Sequence, residues 1–350
     1  MRAQVEVVAV GARTPVGLTA ESSSAAVRAG IVRYVEYPFI SPHGEPVVVA
    51  ADGLLGPDIE GRDRLVSMAQ SALDEIETKL AHELLYEGRL RMLLALPEPR
   101  PGFSEGDAAW VADSLAARFR AKSPSARVEI AGRGHAGAIL AVEQVMKECS
   151  ESKDVLFLVM GVDSYHHADT FVWLERNRRF AQPGIRSGFT PGEGVGCLAL
   201  MSAGMRRRLH LSPLALLRGA CTAHERLLRD SETGSFGIGM TQAVAGAISG
   251  LDLSRESVDV VYTDINGERY RSEEWGFVAL RAPSAWKTPG YKAPSDCWGD
   301  VGAASGTLES ILALRAFARG YARGPRALVM AGSDSGLRGA MLLQAPQTSS

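Results

Sequence analysis

The chain is short of several things, and each shortage removes a class of explanation. It has only four cysteines in 350 residues (Cys149, Cys197, Cys221, Cys297), widely spaced and without a Cys-x-x-Cys pair. That spacing argues against both a disulfide framework and a zinc site. Neither charge is in excess: 38 basic and 40 acidic residues leave a net −2, so there is no electrostatic footprint for nucleic acid. The one basic run, Arg206-Arg207-Arg208, is too short to change this and reads as a solvated loop. No apolar run reaches the roughly 18 residues of a membrane span. The N-terminal stretch Met1–Val10 is interrupted by Glu6 and leads into Gly11-Ala12-Arg13-Thr14-Pro15, which suits a first core strand better than a secretory signal. The default expectation is a cytoplasmic globular protein, with no membrane and no nucleic-acid partner.

What is abundant is apolar sequence, 46% of the residues, enough for one large fused unit or two domains of ordinary size. Strand-length apolar runs fall at Val5–Val10, Met92–Leu96, Val128–Ala131, Val155–Met160, Cys197–Met201, Leu214–Leu217, Val258–Tyr262, Ala327–Met330 and Ala340–Leu343. Stretches of helical period fall at Leu65–Leu80, Ala108–Ala121, Ala136–Lys147, Thr241–Ile248 and Thr307–Phe317. Nearly continuous apolar strands between helices predict an α/β fold with a sheet covered on both faces.

Part of the pattern occurs twice. A small-residue helix containing Gly137 precedes a strand ending Val159-Met160 and then Asp163-Ser164; another containing Gly306 precedes Val329-Met330 and then Asp334-Ser335. The glycine-to-valine separations are 22 and 23 positions. Either two βα units merely look alike, or the chain is a duplication with halves at 1–205 and 206–350. In the second case small residues would let two central helices pack closely between the sheets, giving five layers, α-β-α-β-α, in one compact unit.

Four segments carry a family resemblance. They are Val8–Gly17 with Ala25–Ile31; Ala131–Ile139 with Val159–Ser164; Arg186-Ser187-Gly188-Phe189-Thr190-Pro191-Gly192-Glu193-Gly194-Val195-Gly196; and Gly299-Asp300-Val301-Gly302-Ala303-Ala304-Ser305-Gly306. In this order they resemble the β-ketoacyl synthases of the thiolase superfamily. The resemblance implies a duplicated thiolase-like fold and a dimer. It also implies acyl-CoA or acyl carrier protein as partners. The chain is shorter than typical members, which implies missing insertions.

The family works with a cysteine and two histidines, and this chain matches none of them. By motif, the cysteine falls on Gly132 in Ala131-Gly132-Arg133-Gly134-His135, and glycine cannot form an acyl-enzyme. The first histidine falls on Asp264 in Thr263-Asp264-Ile265-Asn266-Gly267-Glu268, the second on Asp300, and the family lysine on Ser295. Two readings stay open. In one, the site is degenerate and the chain is a non-condensing acyl-binding or partner subunit, a homodimer or a heterodimer with an active synthase. In the other, Asp264 and Asp300 act as acid and base in an acyl-thioester hydrolase or acyltransferase with no covalent step, with Arg133, His135 and Ser295 near the substrate. Burial of the two carboxyls would demand cationic partners, with Arg133 or Arg269 expected.

Other residues call for less. Cys297 reads as a small buried cysteine and Cys221 as the end of a core strand. Adjacent His166-His167 rarely point the same way and have no third ligand, so no metal and no cofactor are expected. Gly192-Glu193-Gly194 is followed by a strand, not a helix, so it is neither a dinucleotide fingerprint nor a phosphate loop.

Overall fold

The computed structural model describes residues 4–40, 46–120, 123, 125–149, 154–182 and 184–346. Chain order begins β1 (Val5–Arg13), α1 (Ala20–Arg28), β2 (Tyr34–Ile40), β3 (Pro46–Ala50), α2 (Gly61–Glu77) and α3 (His82–Tyr86). It continues β4 (Leu90–Leu96), α4 (Glu105–Arg120), β5 (Arg127–Arg133), α5 (Gly137–Glu148), β6 (Leu156–Ser164), α6 (Ala168–Arg176), β7 (Glu193–Ser202) and α7 (Ala203–Arg208). The rest is β8 (Ala215–His224), α8 (Ile238–Ala247), β9 (Val260–Thr263), α9 (Arg269–Arg281), α10 (Ser295–Trp298), α11 (Ser305–Ala318), β10 (Arg326–Gly332) and β11 (Leu337–Gln344).

Nine strands hydrogen-bond in the order β5-β4-β6-β7-β1-β8-β11-β10-β9, and β2 pairs with β3 in a separate hairpin. All nine strand-length runs of the sequence are strands of this sheet. The order is nearly symmetrical about the β1–β8 junction, which is only three pairs long, Val5–Val7 against Leu217–Ala215. On one side β7 lies antiparallel between β1 and β6, and β6 runs parallel to β4. On the other side β11 lies antiparallel between β8 and β10, and β10 runs parallel to β9.

The layers follow from which face each side chain takes. In β6, Phe157 and Val159 face the central core with α5 and α11, while Leu156, Leu158 and Met160 face α2 and α4. In β11, Met341 and Leu343 join that same central core, while Ala340 and Leu342 face α8. Strands buried on both faces cannot alternate apolar with polar, which is why they read as continuous runs. Helices α5 and α11 are shared by both arms of the sheet and touch where Gly306 faces Ala138 and Ile139. The result is the expected five-layer α-β-α-β-α arrangement, on one hydrogen-bonded sheet.

One local expectation is corrected. Arg206–Arg208 end helix α7 rather than forming a loop, with Arg206 paired to Glu6 at 2.8 Å and Arg208 to Asp154. Arg269 begins α9, directly after the polar residues 264–268. The two sheet edges differ. Residues 286–292 cover β9 through Lys287 N–Val258 O (2.9 Å) and Lys292 N–Val261 O (2.8 Å), whereas among the described residues β5 keeps a free edge with Ile130 exposed.

Candidate functional site

The parallel strands β4, β5, β6, β9 and β10 deliver their C-terminal ends to one place, where α/β sheets commonly put their chemistry. There the loop after β5 brings His135, β6 ends at Ser164 beside Tyr165, β9 is followed by Asp264 and β10 by Ser333-Asp334. Asp300 arrives on the turn after α10. Gly299 makes that turn with φ 72°, a conformation that suits glycine. The Asp300 backbone is then clamped, its N–H donating to Thr190 O at 2.8 Å and its carbonyl accepting from Gly192 N at 2.9 Å.

Asp300 is 4% exposed and its carboxylate has five polar contacts. Oδ1 accepts from Gly302 N (2.7 Å) and the Tyr165 hydroxyl (3.1 Å), and Oδ2 accepts from Asn266 Nδ2 (2.5 Å). His135 Nε2 lies 2.9 and 3.0 Å from the two oxygens. Asp264, 8% exposed, accepts from Arg271 Nη1 at 2.5 Å and Gly332 N at 2.8 Å. Arg271 also donates to Gly332 O at 2.7 Å, and its Nη2 lies 3.3 Å from His135 Nε2. The sequence thus brings Asp264, Asp300 and His135 together, buried and paired.

The expected cations were the wrong ones. Arg133 points away, bonded to Glu105 and to Pro97 O at 3.2 Å, and Arg269 pairs with Glu273 at 2.6 Å on the surface. The partner of Asp264 is Arg271, because α9 turns that side chain inward along the line Tyr270, Arg271, Glu274, Trp275, Val278. That spacing is a helical signal legible in the sequence. Ser295 does not reach either carboxylate; its Oγ donates to Ile265 O at 2.6 Å.

Gly132 has no room for a side chain. A Cβ there would meet the Gly137 carbonyl oxygen at 2.4 Å and its Cα at 2.6 Å. No side chain fits, and its direction is toward the backbone of α5, not toward Asp300. The residue beside Asp300 at the start of α5 is His135, three positions further on. Its neighbours leave a small cavity of about 100 Å³, lined by Glu98, Arg100, Tyr165, Trp173 and Asp334.

Charge in this centre is set by burial and by these neighbours. Burial alone would raise the Asp300 carboxyl, but His135, Arg271 and the Asn266 amide outweigh it and hold it well below the usual carboxylate range. Burial opposes a charge on His135, yet Asp300 wins over burial and Arg271, so its pKa rises. Glu309, one turn into α11, shows the reverse. Burial first, then the charges of Asp264 and Asp300, push its pKa well up, and among the described residues its Oε2 has no hydrogen-bond partner.

These shifts fix how stability depends on pH. The His135 contribution is complete below its unfolded pKa of about 6.5 and is lost as pH rises through the higher folded value. Glu309 keeps a proton that the unfolded chain releases above about pH 4.3, so it too makes stability fall as pH rises. Asp300 works oppositely, contributing above about pH 3.9 and losing its contribution as pH falls. Glu309→Gln is therefore expected to stabilise the chain at pH 7.5 and to do nothing at pH 4. Urea titrations at the two pH values check this, and an equal effect at both would remove the neutral-acid assignment.

The other histidine and glutamate motifs have structural jobs. His166 is fully buried with Nδ1 3.2 Å from Glu193, and Arg64 Nη2 donates to Glu193 at 2.7 Å. His167 caps α6, its Nδ1 accepting from Asp169 N at 3.2 Å. Glu193 opens β7, a strand as expected. Among the described residues no His/Cys/Asp/Glu cluster suits a metal, and no helix is long and apolar enough to cross a membrane.

Fold and centre together define a protein with the thiolase-like ketosynthase fold. Known structures agree. One, of a type II polyketide synthase acyl-carrier protein in complex with its ketosynthase bound to the hexaketide, matches with TM-score 0.80 and 14% identity over 99% of this chain and 100% of that one. The ishigamide ketosynthase/chain length factor matches with TM-score 0.76 and 16% identity over 99% and 100%. A β-ketoacyl synthase from Burkholderia phymatum STM815 gives 0.76 and 14% over the same shares. No family model matches the sequence, and no curated protein does.

Proposed function

We propose that this chain is a non-condensing subunit of a ketosynthase assembly, built as two halves, 1–205 and 206–350, of one compact unit. The observation that carries this is the filled centre. Where an acyl-transfer site needs a nucleophile and an open pocket, this chain has a charged His135–Asp300 pair, a second pair Asp264–Arg271, and no cysteine. The remaining space of about 100 Å³ is lined mostly by charged and polar side chains and falls below the size of a ligand pocket, which suits water better than an acyl chain. The alternative, a hydrolase or acyltransferase driven by the two aspartates, is less well supported. An acid–base pair needs one carboxyl free to take a proton, and here both are occupied by hydrogen bonds, with Asp300 held ionised.

The free edge of β5 supports a partner of the same fold, either a second copy or an active ketosynthase. An exposed strand edge is a template for pairing, and Ile130 sits on it 37% exposed. Acyl-CoA or an acyl carrier protein would then be handled by the active partner. All four cysteines are free, which fits a reducing, cytoplasmic setting.

Mass spectrometry after incubation with acetyl-CoA, malonyl-CoA and acyl carrier protein tests the reading. The expected result is a dimeric mass in native spectra and no acyl adduct after denaturation. Ile130→Lys is expected to shift the dimer toward monomer without unfolding it. A covalent acyl group retained after denaturation would overturn the non-condensing assignment, and a dimer indifferent to Ile130→Lys would overturn the β5 interface.

A further inference from the structure

A larger cleft, of about 650 Å³, lies apart from the aspartate centre, between α1, β9, the 292–297 segment and α11. Its lining includes none of Asp264, Asp300, His135 and Arg271. Its volume suits a small-molecule ligand. Its floor and walls are mixed: Val27 and Leu312 are apolar, the Tyr262 and Tyr321 rings are flat, and Cys297 contributes a buried thiol.

Three observations give the cleft a polarity. Lys292 and Arg28 both line it, and among the described residues neither has a carboxylate partner. The Lys292 ammonium lies 5.3 Å from the Tyr262 ring centre and the Arg28 guanidinium 4.0 Å from that of Tyr321. Asp296, exposed, is the one acidic residue of the lining. Ser24, 3% exposed, also lines the cleft, and its Oγ has no hydrogen-bond partner. A buried hydroxyl left unpaired is costly, so its presence on the wall of a cleft is what a ligand contact would explain. Burial, then the nearby Arg323 charge, lowers the Lys292 pKa, a strain that an anion would relieve.

We propose that this cleft binds a small amphipathic carboxylate, its anionic head held by Lys292 and Arg28 and its apolar body laid between Val27, Leu312 and the tyrosine rings. Cations set over aromatic faces favour such a head-and-body arrangement. The site does not depend on the reading of the aspartate centre, so either can fail alone.

Decanoate is the probe, with decanol and decyltrimethylammonium as matched neutral and cationic chains. Calorimetry on the full-length protein is expected to show one decanoate site, at least tenfold weaker binding of decanol, and no binding of the cation. Lys292→Ala and Arg28→Ala, at side chains on the mouth of the cleft that keep part of their surface in solvent, are each expected to weaken decanoate about tenfold with unchanged melting. Decanoate should also slow N-ethylmaleimide modification of Cys297, read by peptide mass, while leaving Cys221 unaffected. Equal binding of the three chains, unchanged affinity in both variants, or unprotected Cys297 would each overturn the proposal.

Discussion

Arg271→Met is expected to destabilise the chain by about 3–5 kcal/mol, enough to unfold a marginal domain at 37 °C. Arg271 is 4% exposed and its guanidinium faces Asp264 at 2.5 Å, Glu268 at 3.4 Å and the Gly332 carbonyl at 2.7 Å. Methionine fills much of the volume but leaves Asp264 as a buried carboxylate whose remaining donors are Gly332 N at 2.8 Å and the distant Thr263 hydroxyl at 3.5 Å. An uncompensated buried charge costs more than the pair contributed. The double variant Asp264→Leu/Arg271→Met removes the orphan as well as its partner, and so is expected to be less damaging than the sum of the two single changes. Urea unfolding at pH 7 measures all three. A loss under 1 kcal/mol for Arg271→Met, or strict additivity in the cycle, would mean that the network does not hold the centre together.

The scaffold was easier to read than the site, for physical reasons. Strands such as β6 and β10 are buried on both faces, so their apolar character is continuous and survives the loss of any catalytic side chain. Gly137 is forced by the close approach of the Gly132 backbone, and Gly306 packs against the Ala138 and Ile139 side chains, which leaves a mark in sequence whatever the protein does. The centre depends instead on chain direction over single residues. Motif spacing pointed to Gly132, but β5 runs on to Arg133 and α5 begins only at Gly137, so the side chain that reaches Asp300 belongs to His135. Likewise a polar stretch gives no sign of which arginine turns inward until its helix is recognised; Arg271 does, Arg269 two residues earlier does not. Tyr165 went unnoticed because its role comes from where β6 ends, not from any motif.

The second large effect concerns placing a cysteine at position 132. Gly132→Cys is expected to cost about 3 kcal/mol or more and to gain no acyl-transfer activity. Its Cβ would meet the Gly137 carbonyl oxygen at 2.4 Å and its carbonyl carbon at 2.7 Å, atoms of a helix start that cannot swing aside as a flexible side chain would. Gly132→Ala should cost nearly as much, since the clash is at Cβ and not at sulfur. His135→Cys, by contrast, is expected to fold with reduced stability, because Asp300 keeps Gly302 N, the Tyr165 hydroxyl and the Asn266 amide as donors. Its thiol would stay unreactive at neutral pH, since burial and the neighbouring Asp300 carboxylate both disfavour thiolate. Adding Asp300→His turns that neighbour into a group that can take the proton, and iodoacetamide labelling at position 135 should then rise at least tenfold over His135→Cys alone. Chemical unfolding and peptide-level labelling separate the outcomes. If Gly132→Cys folds as stably as the parent and loads an acyl group, the motif alignment was right about position 132, and His135 is a bystander.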